Sequence, residues 1–232
     1  MSVTTTVRAV SLEGDHHATA EPQPPAQMEE TPEQVCATGG YPAPTMPEFQ
    51  GPYIKRHLGI YFGLLKASDI VQINEDGHVI GGNRVAVNKA GFQIHGAIHK
   101  ARSNINAICH THSPAGKAWS TFSRPLDIIN QDACTFLSIQ AIYENFGGIV
   151  LERDKGQRIA AALGKRNRIA ILQNHSLLTT RSTVNEAGYL FTLLERSCEV
   201  QIIVESAGLP KKIIRKREAE YTAKAYQDPV ST

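Results

Sequence analysis

The amino-acid sequence predicts an α/β protein, because segments typical of strands alternate with segments typical of helices after residue 90. Two apolar runs, INAICHTH (105–112) and RIAILQN (168–174), have the composition of buried strands, and the LLTT that follows the second run is a candidate for another strand. Apolar residues at helical spacing predict a helix over 92–102, and two further helices are expected over 154–164 and 183–208. Neither GxGxxG nor GxxxxGK followed by Ser or Thr occurs, so the sequence offers no support for nucleotide binding.

Before residue 90 the sequence favours strands and turns. The stretch LGIYFGLLKASDIVQI is apolar, with β-branched and aromatic residues, and predicts a strand, a turn and a second strand. In INEDGHVI, Asp76 and Gly77 lie between two short apolar runs, which is the pattern of a β-hairpin. A strand and a loop are expected to follow in GGNRVAVNKAG.

Capping residues predict where the later helices begin and end. Ser113 before Pro114 is typical of a helix start, with Ser113 as the N-cap. Thr183 and Glu186 have the spacing of a capping box at the start of the long helix. The glycine and the proline within 208–210 predict its end.

Charge and proline content divide the chain into three parts. Residues 1–50 contain one basic and seven acidic residues and most of the prolines, so we expect a disordered acidic tail. Residues 51–210 contain the segments with apolar periodicity and are the predicted domain. Residues 211–232 form a basic C-terminal segment that begins with KKIIRKR. That run lacks interleaved aromatic residues, which favours a solvated helix face or a subunit contact over nucleic-acid binding.

The composition excludes several classes of protein. Of the 232 residues 41% are hydrophobic and 20% are charged, as in ordinary soluble domains, and no apolar run is long enough to predict a membrane span. Four scattered cysteines without a CxxC pair favour a reducing compartment over a disulfide framework or a cysteine-rich zinc site. The first residues contain no apolar core of signal-peptide length, so we expect a cytoplasmic protein.

The motif with the clearest chemical meaning is His110-Thr111-His112 at the end of a predicted strand. Side chains at positions i and i+2 of a strand point to the same face, so two imidazoles there could bind one metal ion. A catalytic zinc or iron site needs a third protein ligand, and His175 is the natural candidate because it follows the strand 168–174. On spacing alone, two histidines without a metal are the alternative interpretation.

Other polar residues give weaker signals. His95 and His99 form an i, i+4 pair on a predicted helix, which is a second common metal-binding spacing, although no Glu follows His95 as an HExxH site requires. One core-facing and one surface histidine is the alternative. Gln131 and Asp132 lie in a loop or helix start, where Asp132 is either an N-cap or a substrate contact.

These segments together resemble the class II aldolase/adducin family, and within it the adducin-like branch. The resemblance extends from about residue 59 to residue 208 and is carried by FGLLKASDIV, AGFQIHGAIHKARSNINAICHTHS, RPLDIINQDAC, LQNHSLLTT and VNEAGYLFTLLERSCEVQ. The order of an HxH motif, an NH motif about 60 residues later and then ERSCEVQ makes it specific.

The resemblance implies a three-layer αβα sandwich with a central, mainly antiparallel sheet, and a homotetramer with active sites between subunits. It implies that His110, His112 and His175 hold Zn2+, or Fe2+ or Mn2+, as a Lewis acid on a carbonyl or hydroxyl oxygen. The family contains sugar-phosphate aldolases, an epimerase and a dehydratase. We therefore expect a small-molecule substrate, no organic cofactor, and neither nucleic acid nor membrane as a partner.

Several positions depart from the pattern of the aldolases. Gly91 stands where the aldolases have a catalytic carboxylate, and Gln131 stands where they have a tyrosine. Lys89-Ala90 replaces a serine pair that grips phosphate, and Ser176 replaces a glycine after the NH motif. The few residues within 48–59 leave no room for the usual first helix and phosphate loop, which indicates an N-terminally shortened domain.

Three hypotheses follow from the resemblance and its departures. The first is a metal-dependent lyase that acts on a small, non-phosphorylated hydroxy-carbonyl compound, with Gln131 or Asp132 orienting the substrate. His95, one helical turn after Gly91, is then the candidate replacement base. The second is a non-haem iron oxygenase with the same three histidines. The third is a non-catalytic, adducin-like oligomerisation module or a degenerate paralogue.

Overall fold

A computed structural model describes residues 3–7, 66–82, 87–148 and 153–227, and all of these belong to one compact unit. The strands are β1 (Val3–Val7), β2 (Val71–Ile73), β3 (Val79–Gly82), β4 (Ala107–Thr111), β5 (Gln140–Tyr143), β6 (Ile169–Leu172) and β7 (Ser176–Arg181). The helices are α1 (Lys89–Ala101), α2 (Pro114–Ser120), α3 (Arg153–Leu163), α4 (Val184–Ser206) and α5 (Lys216–Gln227). Two short 3-10 helices cover Ala67–Asp69 and Asp132–Phe136.

The central sheet has five strands in the order β1-β4-β7-β6-β5. The pairs β1/β4, β4/β7 and β7/β6 are antiparallel, whereas β6 and β5 are parallel because α3 connects them. A mainly antiparallel central sheet is therefore confirmed. Strands β2 and β3 form a separate two-stranded sheet.

Helices cover both faces of the central sheet. Successive residues of a strand point to opposite faces, so each buried strand contributes side chains to both layers. One layer packs α1 and α3 on the sheet through a cluster that includes Ile94, Ile98, Ile108, Ile159, Leu163 and Leu178. The other layer packs α2 and α4 on it through a cluster that includes Ala107, Trp119, Ile171, Leu177, Leu190 and Leu194. The predicted three-layer αβα sandwich is confirmed by this arrangement.

Strand β1 lies in the stretch that we expected to be a disordered tail. Its residues VTTTV pair with β4, from Val3 opposite Thr111 to Val7 opposite Ala107. For these five residues the structure differs from the expectation. The acidic, proline-rich composition of 1–50 as a whole concealed a short run of β-branched residues with high strand propensity. The rest of the expected tail and the stretch 48–59 lie outside the described residues.

The hairpin predicted around Gly77 is present, but Asn74 organises its turn. The Asn74 side chain accepts hydrogen bonds from the backbone N–H groups of Asp76 and His78, and its carbonyl accepts one from Gly77. Gly77 has a φ of 86°, which favours glycine at this position. The first strand expected in LGIYFGLLKASDIVQI lies outside the described residues.

Two helix boundaries differ from the sequence prediction. Helix α1 begins at Lys89, three residues earlier than predicted, because the Asn88 side chain caps the backbone N–H groups of Ala90 and Gly91. KKIIRKR does not continue as one helix, since α5 begins only at Lys216. Before it, the Lys211 ammonium lies 2.6 Å from an Asp127 carboxylate oxygen and also pairs with Glu205, so part of the basic run holds the chain in place.

The capping box of α4 is confirmed, with the Thr183 and Glu186 side chains and backbone bonding reciprocally. Gly164 and Gly208 follow α3 and α4 with φ values of 63°, as expected of glycines that end helices. Within the described residues, no helix combines the length and the apolar character that crossing a bilayer requires.

Helices α1 and α3 approach each other at Gly156. A Cβ atom built on Gly156 would lie 2.2 Å from the Gln93 carbonyl oxygen of α1 and 3.1 Å from the Ala97 Cβ. Backbone atoms cannot yield as a flexible side chain does, so this position requires glycine. The close packing matters for function because α1 carries His95 and α3 begins beside the loop that follows β5.

We predict that Gly156→Ala lowers the free energy of unfolding by about 1–3 kcal/mol, because the two helices must move apart. Gly188→Ala on α4 is the matched control, since a Cβ there meets no atom within 4 Å. That variant should gain about 0.5–1 kcal/mol from the higher helix propensity of alanine. Urea denaturation measures both values, and equal effects of the two substitutions would contradict the steric explanation.

Candidate metal centre and its surroundings

Three histidines converge because β4 and β7 are antiparallel neighbours. Thr111 at the end of β4 lies opposite Leu177 near the start of β7, so the HxH motif reaches the tight turn between β6 and β7. His175 lies in that turn, and its backbone N–H donates to the Leu172 carbonyl at 3.0 Å. From the sequence we expected two comparable strand ends side by side. The ends of β4 and β6 do lie at the same edge of the sheet, because both strands are antiparallel to β7, which lies between them.

The imidazole nitrogens of the three histidines face one another. The Nε2 atoms of His112 and His175 are 2.8 Å apart. One nitrogen from each of His110, His112 and His175 lies within 4.8 Å of the other two. In a tetrahedral site with Zn–N bonds of 2.0–2.1 Å, ligand nitrogens are about 3.3 Å apart. The donor set and its spacing therefore fit a divalent ion held by three imidazoles.

His110 is oriented by β7. Its Nδ1 lies 2.9 Å from the Leu177 carbonyl oxygen and 3.2 Å from Ser176 Oγ. Since a carbonyl only accepts, the proton is assigned to Nδ1, which leaves the lone pair of Nε2 for a metal. Ser176 is fully buried and stands where the family pattern has glycine. The departure therefore adds a contact to His110.

The three rings are held in the neutral form that metal binding requires. Burial lowers the pKa of His110 to about 4, although its bond to Leu177 acts in the opposite direction. Burial lowers the pKa of His175 to about 3, and the charges of His110, His112 and Lys155 lower it further. The pKa of His112 is also lowered, first by burial and then by the charge of Lys117.

Glu195 of α4 caps the helix that follows the HxH motif. Its carboxylate accepts hydrogen bonds from the backbone N–H groups of Ala115 at 2.9 Å and Gly116 at 2.8 Å, and from Ser113 Oγ. The predicted start of this helix at Pro114 is confirmed. Ser113 is the N-cap residue, as predicted, but its hydroxyl donates to Glu195 and makes no capping bond to the helix backbone. The carboxylate thereby fixes the backbone directly after His112.

His95 lies beside the cluster, whereas His99 is turned away from it. The ring centroid of His95 is 6.3 Å from that of His110, and the side chain is buried. The pKa of His95 lies well below its usual value because of burial, followed by the charges of His110 and His99. His99 Nδ1 lies 3.0 Å from the Ile105 carbonyl oxygen. The i, i+4 pair thus divides into one site-facing and one structural histidine.

Gln131 and Asp132 lie elsewhere, at the 3-10 helix that packs against α5. Gln131 is exposed, and its Nε2 donates to the Tyr226 hydroxyl. Asp132 is also exposed and is the first residue of that 3-10 helix. Gly91, at the position of the aldolase carboxylate, is buried in the first turn of α1. The structure places His95 beside the histidine cluster, whereas the contacts of Gln131 and of the 3-10 helix that Asp132 begins are mainly with α5.

Two residues with a bearing on the site were missed from the sequence. Glu195 lies within ERSCEVQ, so its place in a characteristic motif was a usable signal, but its partner is about 80 residues away in the chain. Lys155 gave no signal, since a lysine in the first turn of a helix is ordinarily exposed. Here it is buried, and its charge acts on His175.

Comparisons with known proteins find similar chains. A family model described as "Class II Aldolase and Adducin N-terminal domain" matches residues 48–202. "Decarboxylase NovR" of Streptomyces niveus is 36% identical over 168 residues, which are 72% of this chain and 62% of that relative. The "4-hydroxy-3-prenylphenylpyruvate oxygenase/4-hydroxy-3-prenylbenzoate synthase" of Streptomyces roseochromogenus subsp. oscitans is 34% identical over 174 residues, which are 73% of this chain and 62% of that relative.

A solved structure of L-fuculose 1-phosphate aldolase from Glaciozyma antarctica PI12 superposes with a TM-score of 0.65 and 40% sequence identity. The match covers 72% of this chain and 64% of that one. The chain spans about three fifths of the length of the two curated relatives.

We predict that Glu195→Gln destabilises the protein by about 1–2 kcal/mol, because an amide cannot replace all the bonds that the carboxylate accepts at the start of α2. Affinity for a divalent ion should also fall, since the backbone after His112 is no longer fixed. Urea denaturation and metal titration measure the two effects. Glu199→Gln, one turn later on α4 and exposed, is the control. Equal effects of both substitutions would contradict the capping role.

We also predict that the metal-free protein loses stability as the pH falls from about 6.5 to about 4. The folded pKa of His110 is about 4, below the usual 6.5, so within this window the unfolded chain binds a proton that the folded chain does not. The free energy of unfolding must therefore fall with pH. Urea denaturation at a series of pH values measures the slope. His110→Gln should reduce the slope, and an unchanged slope would contradict the assignment.

Proposed function

The chain belongs to the class II aldolase and adducin family, and on that premise we propose that it is a divalent-metal-dependent lyase acting on a small hydroxy-carbonyl compound. The proposal rests on one observation. His110, His112 and His175 present neutral imidazole nitrogens that all lie within 4.8 Å of one another. Three such ligands leave coordination positions open, as catalytic sites do and closed structural sites do not.

Each part of the site has a task in this proposal. A divalent ion bound by the three histidines would polarise a carbonyl or hydroxyl oxygen of the substrate. The Leu177 carbonyl and Ser176 hold the His110 ring in the ligating orientation. Glu195 holds the chain after His112. Zn2+ is the ion we propose first, with Fe2+ and Mn2+ as the alternatives that the same imidazoles would accept.

The names of two similar proteins support cleavage of a carbon–carbon bond. An aldolase and a decarboxylase both break such a bond next to a carbon that must accept the electron pair. We propose a non-phosphorylated substrate, because Lys89-Ala90 replaces the phosphate-gripping serine pair of the aldolases.

We propose that His95 is the base that transfers protons. Gly91 carries no carboxylate, and His95 is one helical turn further along α1, beside His110. As a neutral imidazole in a buried position it could accept a proton from a bound substrate. Gln131 and Asp132 are exposed, so we assign their substrate-orienting role to the site of a neighbouring subunit in a homotetramer. We further propose a cytoplasmic location.

We predict that His110→Ala and His175→Ala each remove the bound metal from protein purified at pH 7.5 and abolish lyase activity. His95→Phe should retain metal and lose most of its activity, because a base and not a ligand is removed. Metal analysis of the purified protein is the primary measurement. His78→Ala, in the β2–β3 hairpin, is the control that should keep its metal. Wild-type protein without stoichiometric metal would overturn the proposal.

A non-haem iron oxygenase is the second candidate, since one similar protein carries "oxygenase" in its name. Three imidazoles suit Fe2+ as well as Zn2+. Oxygen consumption by the Fe2+-loaded protein with 2-oxo acids or aromatic acids distinguishes the two reactions. Consumption that requires His110 would replace the lyase proposal, and its absence would leave the lyase. A non-catalytic module, which the loss of the carboxylate at Gly91 favours, predicts an assembled oligomer that binds metal loosely.

A further inference from the structure

We propose that the central sheet binds a diphosphate group of a small molecule at the end opposite the histidines. The surface there, which we call the basic end, is formed by Arg102, Lys165, Arg166, Arg168 and Arg181. The inference is independent of the proposed function, because the length of β4, about 13 Å from Ala107 to Thr111, separates the basic end from the histidine cluster.

Hydrogen bonds bring three separate segments together at the basic end. The Arg102 guanidinium donates to the Asn167 carbonyl oxygen at 2.6 Å, which joins the end of α1 to the loop between α3 and β6. The Arg168 carbonyl in turn accepts a hydrogen bond from the backbone N–H of Thr180 at 2.8 Å. Thr180 directly precedes Arg181, the last residue of β7. The three arginines therefore follow one another across the ends of adjacent elements.

The basic end has a large excess of positive charge. The segments 101–107, 164–169 and 178–186, which meet there, together contain five basic residues and one acidic residue, Glu186. The Glu186 carboxylate accepts hydrogen bonds from the backbone and hydroxyl of Thr183 in the capping box of α4. A surface of this composition attracts anions through its potential.

The arginine side chains are close enough for their charges to act on one another. Burial lowers the pKa of Arg102, and the charge of Arg168 lowers it further. The pKa of Arg181 is lowered in the same way, first by burial and then by the charge of Arg168, although Glu186 acts in the opposite direction. All three arginines are half-buried. Repulsion between such groups is relieved when an anion lies between them, because it attracts each of them.

The geometry of guanidinium groups favours phosphate as that anion. A guanidinium presents its N–H donors as a rigid planar fork, which matches two oxygens of a phosphate. Arg102 already uses part of its fork on the loop carbonyl, so Arg168 and Arg181 are the central ligands. The exposed Lys165 and Arg166 border them. A diphosphate has enough charged oxygens to bind two guanidinium groups and a loop residue at once, whereas a single carboxylate matches one guanidinium.

The experiment is a calorimetric titration of the full chain with inorganic pyrophosphate and, separately, with ADP. Arg168→Gln should raise the Kd for pyrophosphate about 10–100-fold, because charge-assisted hydrogen bonds are lost. Arg166→Glu, at an exposed position, should also weaken binding and serves where Arg168→Gln folds poorly. Arg215→Gln, exposed in the KKIIRKR run, is the matched control and should change the Kd by less than about twofold.

Two further variants identify the place and the mode of binding. Pyrophosphate also binds metal ions, so His175→Ala is included and should bind it with the Kd of the wild type. Arg168→Lys keeps the charge without the planar fork and should restore only part of the affinity.

The two probes distinguish the sources of the diphosphate group. Binding of ADP at least as tight as that of pyrophosphate supports a nucleotide-like ligand, and binding of pyrophosphate alone supports the free anion. Failure of both probes to bind would overturn the inference. Equal losses in the Arg168→Gln and Arg215→Gln variants, or loss of binding in His175→Ala, would also overturn it. The proposed function stands or falls separately, on metal analysis.

Discussion

The antiparallel pairing of β4 with β7 is the constraint on which the rest of the site depends. It brings the end of the HxH strand to the turn that carries His175, although more than 60 residues separate the two motifs. The same pairing supplies the Leu177 carbonyl that orients His110. A change of one residue in this register would turn every side chain of β4 to the opposite face, and His110 would then face α2 and α4. Packing of the sheet therefore brings the three histidines together.

Apolar packing and polar contacts both stabilise the pairing register of β4 with β7. Apolar side chains from β4 and β7 enter both helical layers, so burial on each face resists a shift of either strand. Polar contacts then fix the ends, with Glu195 reaching from α4 to the backbone after His112. The buried strands hold the backbone around the histidines in place. Glu195 fixes the chain segment that follows His112. Preorganisation of this kind lowers the entropic cost of binding an ion.

Positive charges act on the histidines of the site. Burial keeps the histidines neutral, and the nearby Lys155 and Lys117 carry positive charge. The carboxylate of Glu195 accepts hydrogen bonds from backbone N–H groups in the first turn of α2.

The sequence by itself determined the alternation of strands and helices, the capping box of α4, the hairpin at Gly77 and the three histidines, because these depend on local patterns or on short motifs with fixed spacing. It could not give the earlier start of α1 at Lys89 behind the Asn88 cap, the strand within the acidic first segment, or the contact of Gln131 with Tyr226. Tertiary structure alone decided that Glu195 caps α2 and that Lys155 is buried. Those outcomes depend on which surfaces meet when helices cover the sheet, and contacts between residues distant in the chain leave no periodicity in the sequence.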